Sequence, residues 1–401
     1  MRKKIVFCVL ILLFCVSCAD QPTFKVAVVA PFSLESGKDL WQALLMASAE
    51  LEQSGGMEGR RLELFPVDEQ DNVDKSVGNL RQVLLEHKID LIVGGFNSAA
   101  VLALMDVMAE HGVIWLGTGG AHPAVIEKIK NNYEKYQYYF RVGTPDAREQ
   151  GKAFAQFARE VLGPRYGYKR FAILAPNSKW ARFLMNEAKE SLLRDGFQLK
   201  YEEYFSPTTL NFKSALSSLK KSGAEFYFAT SLGKQGELFI QQVREEKVKL
   251  AHVWSHTILS EEKLSRELGK GIENATWFRL SGVDYPFTTK TLLFVEAYKK
   301  KFGKSPGVLA YPGYDTLFIL REAVRQARSF EKKELIKTLE ALEYAGNNLY
   351  KFTPEHDLTY GIQDNKRYVI PIFFQWQSDG KRHAIWPAEL MSREYQHPEI
   401  R

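Results

Sequence analysis

The stretch DLIVGGFNSAAVLALMDVM, residues 90–108, joins a buried-strand pattern to a helical pattern through two glycines. The apolar run at 91–93 does not alternate with polar residues, which is typical of a strand covered on both faces of a parallel sheet. Asn97 and Ser98 are favourable residues for starting the helix that follows. The stretch therefore predicts a strand, a tight turn and a helix whose N-terminus opens where the strand ends.

The N-terminus of that helix is a candidate anion site. The first N–H groups of a helix have no partner within it, and the helix dipole favours negative charge there. Because Ala99 and Ala100 are small, we expect these N–H groups to be uncovered. The alternative is a tight turn that packs without any ligand.

The first 20 residues, MRKKIVFCVLILLFCVSCAD, have the pattern of an export signal. Basic residues at 2–4 precede an apolar run of 12 residues, Ile5 to Val16, which is too short to span a bilayer comfortably. Ser17 and Cys18 then resemble the processing site of bacterial lipoproteins. We expect a lipoprotein signal peptide at 1–17, a lipid anchor on Cys18, and a location in the periplasm or at the cell surface. An ordinary secretory signal is the alternative.

Cysteine content and charge exclude several classes of function. All 3 cysteines, Cys8, Cys15 and Cys18, lie in the first 18 residues, so the rest of the chain has no disulfide chemistry. The formal net charge is +6, and removing the three basic residues of the signal would lower it to +3. With no basic block and no zinc-ligand spacing, we expect no nucleic acid partner, no metal and no cofactor.

Strand and helix patterns alternate along the remaining chain, which predicts parallel sheets with right-handed crossovers. The strand patterns are Lys25–Ala30, Leu62–Val67, Leu91–Gly94, Val113–Gly117, Phe171–Ala175, Lys200–Tyr204, Phe226–Ala229, His252–Ser255 and Thr276–Leu280. The helical patterns are Leu40–Gln53, Val73–Glu86, Ala99–Glu110, Glu149–Val161, Trp180–Asp195, Phe212–Lys220, Gly236–Glu245, Thr288–Phe302 and Tyr314–Ser329. The series divides near 141–146, which predicts two similar doubly wound domains.

The end of the chain has a different character. RYVIPIFFQWQSDGKRHAIWP, residues 367–387, alternates apolar and polar residues around Asp379-Gly380. Asp-Gly is a strong signal for a hairpin turn. The tail is therefore predicted to form two antiparallel strands.

Several stretches together resemble the type I periplasmic binding proteins, and more narrowly the leucine/isoleucine/valine-binding branch. They are KVAVVAPFS (25–33), SGGMEGRRLELFPVDEQDNVDKSV (54–77), VGGFNSAAV (93–101), YFRVGTPDAREQG (139–151), GYDTLFILREAV (313–324) and QWQSDGKRHAIWP (375–387). The resemblance implies an α/β fold of two doubly wound parallel-sheet lobes joined by a three-crossover hinge. Lobe 1 would be 24–143 plus 282–352, and lobe 2 would be 144–281 plus 353–401, with ligand bound between them.

The resemblance also implies a function. It points to the lipid-anchored, extracytoplasmic solute-binding receptor of an ABC importer, with an ABC permease of the cytoplasmic membrane as partner. The ligand would be a small amino acid, amide or related carboxylate. A sensory binding module of the same fold is the alternative. An enzyme is disfavoured because the chain has neither a G-x-S-x-G nor an H-E-x-x-H motif.

In lobe 1 the resemblance assigns ligand contacts to two loops. Ser98 matches the serine that offers its hydroxyl and N–H to the ligand carboxylate, and Ala99 keeps the approach clear. Gly120 matches a residue whose carbonyl holds the ligand amine, and Ala121 replaces a family threonine. His122 is either a substitute donor or a cap of its own turn.

In lobe 2 the match is looser. Trp180 matches an aromatic residue that covers the ligand, although a residue at a helix start is as readily a core or rim residue. Leu232 lies in a loop that often carries a tyrosine. Trp254 and His256 lie in VWSHTIL, residues 253–259, where the family usually places an acid for the α-ammonium group.

The missing acid bears on the ligand. Burying an ammonium group without a carboxylate partner is costly. Unless Asp39, Asp68 or Asp71 supplies the charge, we expect a ligand with an acceptor head and an apolar or aromatic body. The pocket should then be indifferent to an α-amino group.

Overall fold

The computed structural model describes residues 21–70, 72–231, 234–256, 274–279 and 285–397, without the side chains of Lys234 and His256. The strands are β1 Thr23–Ala30, β2 Arg61–Asp68, β3 Leu91–Gly94, β4 Ile114–Gly117, β5 Tyr139–Arg141, β6 Arg170–Pro176, β7 Gln198–Phe205, β8 Phe226–Ser231, β9 Ala251–His256, β10 Thr276–Arg279, β11 Glu343–Ala345, β12 Leu349–Lys351, β13 Ile362–Gln363, β14 Lys366–Arg367, β15 Ile372–Trp376 and β16 Arg382–Trp386.

The α-helices follow the strands in the order that a doubly wound fold requires. They are α1 Glu35–Gln53, α2 Val73–Glu86, α3 Ser98–His111, α4 Ala124–Asn131, α5 Tyr133–Tyr136, α6 Ala147–Phe157, α7 Gly163–Tyr166, α8 Lys179–Arg194, α9 Lys213–Lys221, α10 Lys234–Glu245, α11 Thr289–Phe302, α12 Ala310–Ala327 and α13 Lys332–Ala341. A π-helical turn, Ala158–Leu162, joins α6 to α7, and a 3-10 turn, Ala388–Leu390, follows β16.

The first sheet has five parallel strands in the order β2-β1-β3-β4-β5. Gly94 at the end of β3 pairs with Gly117 at the end of β4, so the two strands stop at the same level. The loops that follow them therefore lie side by side at the carboxyl edge of the sheet. In open α/β sheets this edge is where ligands bind.

Both faces of the first sheet are covered. Val26 and Val28 pack with residues of α1, α12 and α13, whereas Ala27 and Val29 pack with residues of α2 and α3. This alternation along β1 explains why its sequence is apolar throughout. Burial of both faces is the main source of stability for such a layer.

The second sheet has seven strands in the order β16-β15-β10-β9-β8-β6-β7. The five strands β6 to β10 are parallel, and β15 and β16 add to them in antiparallel fashion. The predicted terminal hairpin is therefore confirmed. Its turn holds Gly380 at φ +71°, a conformation that glycine adopts without a steric penalty.

The α/β fold of two doubly wound sheets is confirmed, and most long elements lie within a few residues of their predicted bounds. The helix predicted over Glu149–Val161 is confirmed in extent, although its α-helical part ends at Phe157 and continues as the π-helical turn. The sequence patterns missed β5 and α4. Both are short, with three and eight residues, so they carry little periodicity.

After the second parallel series, the chain returns to the first sheet. The hydroxyl of Tyr298 in α11 donates to Oδ1 of Asp39 in α1 at 3.1 Å, and α12 packs against α1. Leu358 and Val369 also belong to the core that covers the first sheet. The crossing expected near 281 and 282 lies outside the described residues.

Candidate functional site

The two glycines after β3 are required by the backbone. Gly94 has φ +104° and Gly95 has φ +88°, conformations that L side chains rarely adopt. A Cβ on Gly94 would lie 2.1 Å from the carbonyl oxygen of Val29. The turn therefore passes close against β1 before α3 begins, which explains why nothing bulky stands at this join.

The N-terminus of α3 is capped by its own chain. Oδ1 of Asn97 accepts hydrogen bonds from the N–H groups of Ala99 at 2.8 Å and Ala100 at 3.4 Å. The expectation that these two groups are uncovered is therefore wrong. Small side chains expose the groups, but the preceding asparagine is long enough to reach back and accept from them.

A buried carboxylate occupies the turn just before this cap. Oε2 of Glu69 accepts from the N–H of Phe96 at 2.6 Å, and Oε1 accepts from the N–H of Asn97 at 2.5 Å. Glu69 is 3% exposed. The sequence patterns did not single out Glu69, although its place directly after β2, at the same sheet edge, was a usable signal.

Ser98 remains as the donor of this turn. Neither the Glu69 carboxylate nor the Asn97 cap engages the N–H of Ser98. Its Oγ accepts from the N–H of His122 at 3.2 Å, which leaves the hydroxyl proton to be donated elsewhere. Ser98 thus combines two donors in one residue that is 7% exposed.

Residues 118–122, hereafter the β4 loop, pack backbone to backbone against this turn. The N–H of Thr118 donates to Gly94 O, and the N–H of Gly120 donates to Phe96 O, both at 3.1 Å. A Cβ on Gly119 would lie 2.3 Å from the carbonyl oxygen of Gly95. The structure therefore brings five of the predicted site residues together at one edge. They are Ser98, Ala99, Gly120, Ala121 and His122.

His122 performs the capping role that was one of its two alternatives. Its Nδ1 accepts from the N–H of Ala124 at 3.1 Å. Burial lowers the pKa of His122, and the ammonium group of Lys179 lowers it further. The neutral ring with its proton on Nε2 fits this arrangement, so a donor role for Nε2 stays a prediction.

His122 also lies where the helices of the first sheet contact those of the second sheet. Its ring lies edge-on to the ring of Phe183 in α8, with 5.4 Å between centroids. Close by, Nη2 of Arg148 in α6 lies 3.2 Å from Oε1 of Glu127 in α4. The β4 loop therefore contacts the N-terminal half of α8.

Trp180, the second residue of α8, is half-buried and packs against the core of the second sheet. Its indole Nε1 is buried, and it has no hydrogen-bond partner in the described part of the chain.

Leu232 lies outside the described residues, as do Cys18 and the side chain of His256. Their assigned roles stay predictions.

Trp254 does not belong to the site. It lies within β9, is 3% exposed, and packs in the core of the second sheet. Its ring stacks on His252 at 4.0 Å between centroids, and its Nε1 donates to the hydroxyl of Tyr227. Trp254 lies in the predicted strand, but its place in VWSHTIL does not bring its side chain to the site, because that side chain points into the core.

Two of the three acidic residues considered as ammonium partners, Asp39 and Asp68, already have partners. Oδ1 of Asp39 lies 2.7 Å from Nζ of Lys304, and burial raises the pKa of Asp39 although Lys304 opposes this. Oδ1 of Asp68 accepts from the N–H of Phe32 at 3.2 Å. Asp71 lies outside the described residues. An ammonium group would therefore compete with existing partners at Asp39 and Asp68.

Two buried hydroxyls are further candidates that the sequence patterns did not indicate. Oγ1 of Thr118 and Oγ of Ser36 are buried and have no partner among the described residues. Thr118 directly follows β4, and Ser36 lies in the first turn of α1, which follows β1. The sequence signal that could have indicated Thr118 was its place as the first polar residue after a buried strand.

Metal ligands and membrane-spanning helices are both absent from the described ranges. Among those residues, no three His, Cys, Asp or Glu side chains are grouped so that they could hold a metal ion. Within the same ranges, every helix is too short or too polar to cross a membrane.

The fold and the edge site together define the class of type I periplasmic binding proteins. The chain belongs to the periplasmic binding protein family, whose model matches residues 24–380. It is 22% identical over 361 residues to the Leu/Ile/Val-binding protein homolog 7 of Brucella abortus, covering 88% of this chain and 87% of that protein.

Solved structures show the same fold. A putative branched-chain amino acid ABC transporter protein from Silicibacter pomeroyi superposes with a TM-score of 0.81 at 18% identity, covering 94% of this chain and 99% of that one. The branched-chain amino acid transporter substrate-binding protein LivJ of Streptococcus pneumoniae, solved with isoleucine, gives 0.75 at 16% identity, covering 91% and 100%.

Proposed function

We propose that this chain is the extracytoplasmic solute-binding receptor of an ABC importer. The ligand binds at the carboxyl edge of the first sheet, where Ser98 offers a hydroxyl and an N–H. Neither Glu69 nor Asn97 bonds to these two donors. This pair of donors is the observation that carries the proposal. Two converging donors suit a carboxylate better than a cation.

The ligand class follows from the same edge and from the relatives. Relatives are named for leucine, isoleucine and valine, and one related structure holds isoleucine. A small carboxylate with an apolar body, such as a branched-chain amino acid or its amide or des-amino relative, fits the donors of Ser98. Trp180 and Phe183 supply apolar surface on the facing helix.

The lobes are proposed to close on this ligand by rotation about the hinge. We assign 24–143 plus 282–352 to lobe 1 and 144–281 plus 353–401 to lobe 2, with one refinement. Because Leu358 and Val369 pack in the core of the first sheet, the last crossing is better placed near 370.

Export and anchoring complete the proposal. The basic residues, apolar run and Ser17-Cys18 of the first 18 residues support a lipid anchor on Cys18. An anchored receptor stays close to an ABC permease in the cytoplasmic membrane. The permease would then accept the ligand when the closed receptor docks.

A thermal-shift screen of branched-chain amino acids, amides and small carboxylates tests the function. A true ligand at 100 times its dissociation constant should stabilise the protein by roughly 2.7 kcal/mol. Solution scattering should then show a smaller radius of gyration at saturating ligand. No stabilisation by any member of the set, or an unchanged radius with a bound ligand, would contradict the proposal.

A further inference from the structure

The β4 loop is bonded along its length to the first crossing between the lobes. The N–H of Thr144 donates to Thr118 O at 2.8 Å, and the N–H of Ala147 donates to Ala121 O at 2.7 Å. Ala147 is the first residue of α6, which packs in the second sheet's core. A movement at the crossing therefore reaches the loop that carries Gly120 and His122.

The side chain of Arg141 links this loop to two other segments of the hinge. Arg141 ends β5 and is fully buried. Its Nη1 donates to Gly120 O at 3.0 Å and to Thr144 O at 3.1 Å. Its Nε lies 2.7 Å from Oδ1 of Asp357. Nη1 thus holds two carbonyl oxygens, whereas Nε and Asp357 form an ion pair without a hydrogen bond. The planar guanidinium group fixes these directions, which an ammonium group cannot do.

Asp357 continues the connection toward lobe 2. Its Oδ1 also accepts from the hydroxyl of Tyr360 at 3.0 Å. That hydroxyl in turn accepts from the N–H of Asp146 at 3.1 Å, immediately before α6. The carbonyl of the neighbouring His356 accepts from the N–H of Arg141 at 3.0 Å, so backbone and side chain both tie these segments together.

We propose that Arg141 is a positioning residue that couples the β4 loop to the hinge. Its bond to Gly120 holds the loop in the conformation that faces the ligand. Its ion pair with Asp357 connects the loop to the segment that precedes the last crossing. The importance of the loop for ligand rests on the proposed function. Arg141 itself need not touch the ligand.

Hydrogen exchange of the ligand-free protein, measured by mass spectrometry, tests this coupling. Asp357→Asn alters the hinge partner of Arg141 and touches no atom of the β4 loop. If Arg141 couples the two, amides at 118–122 should exchange about tenfold faster in this variant, as should those at 353–360. Peptides from β8 serve as the internal reference for global unfolding.

Asp195→Asn is the matched control. It removes one carboxylate charge from the ion pair with Arg159, 2.6 Å away, which belongs to neither segment, so exchange should change neither at 118–122 nor at 353–360. If Asp357→Asn raises exchange only at 353–360, the coupling is wrong.

A second variant keeps the test decisive if Asp357→Asn does not fold. Arg141→Lys keeps the positive charge beside Asp357 but loses the planar fork, so the β4 loop should again exchange faster. Unchanged exchange at 118–122 would overturn the proposal. Because no ligand is present, the outcome is independent of whether the cleft binds an amino acid.

Discussion

The backbone N–H of His122 donates to Oγ of Ser98 at 3.2 Å, joining the loops that follow β4 and β3. This bond orients the serine, because an accepted hydrogen bond at Oγ leaves its proton free to be donated to another group. The proposed ligand site thus lies at two neighbouring strand ends whose last residues, Gly94 and Gly117, are in register.

Ser98→Asp should abolish binding of a carboxylate ligand. The new charge repels the ligand, competes for the same N–H groups and adds to the charge of Glu69. We expect the dissociation constant to rise at least about 100-fold. Titration calorimetry with the ligand found by screening measures this.

Ser329→Asp is the matched control for that substitution. Oγ of Ser329 accepts from the N–H of Glu331, and the adjoining Phe330 packs on Phe24 at the start of β1, far from the carboxyl edge. Binding should be unchanged, since an aspartate side chain can accept from the same N–H two residues on. Equal losses of affinity in both variants would point to a general charge effect and not to a role for Ser98.

Gly94→Ala should destabilise the fold by about 3 kcal/mol or more, because φ is +104° and the new Cβ would lie 2.1 Å from Val29 O. Gly167→Ala is the comparison: Gly167 has φ +72°, and a methyl group there would meet no atom within 4 Å. That change should cost only about 1 kcal/mol. Urea denaturation distinguishes the two, and equal losses would argue against a close approach of β3 to β1.

The glycine turn shows what sequence patterns can and cannot predict. β3 and α3 were predicted almost to the residue, because an apolar run and a capped helix are local signals. The position of Glu69 in the turn could not be predicted in this way. It depends on β2 and β3 ending at one edge, on either side of β1. The face on which Trp254 lies depends in a similar way on distant residues, since it packs against Tyr227 of β8 and Phe239 of α10.

Asp315 should make stability depend on pH. Burial raises its pKa to about 7, although the hydroxyl of Tyr350 and the N–H of Asn347, both 2.7 Å from Oδ2, oppose this. The folded state then holds a proton that the unfolded chain releases near pH 4. The associated stability, on the order of 4 kcal/mol, is present below pH 4 and is lost as pH rises through about 7.

Asp315→Asn should flatten the stability curve between about pH 4 and pH 7, as measured by denaturation. Asp106→Asn gives the opposite case. Despite partial burial, hydrogen bonds from Lys128, Tyr136 and Lys135 lower the pKa of Asp106 to about 2. Its contribution is present above about pH 4 and is lost as pH falls toward 2. An unchanged slope in Asp315→Asn would mean that Asp315 is ionised in the fold.

Cys18→Ala should block acylation and the cleavage that accompanies it. The reason is that the thiol of Cys18 is the attachment point in the lipoprotein pattern of the first 18 residues. Mass spectrometry of the membrane fraction should find a lipid on wild type and an unprocessed precursor in the variant. Normal processing of the variant, with no lipid on wild type, would show an ordinary secretory signal.

Calorimetry of wild type with leucine and with isocaproate, which is leucine without its α-amino group, tests the central claim most directly. In the proposed site the donors of Ser98 bind the carboxylate that both ligands share, and Asp39 and Asp68 already have partners. We predict that both bind, with dissociation constants within about tenfold of each other. Tight binding of leucine with none of isocaproate would contradict this account and would mean that a carboxylate of the protein pairs with the ammonium group.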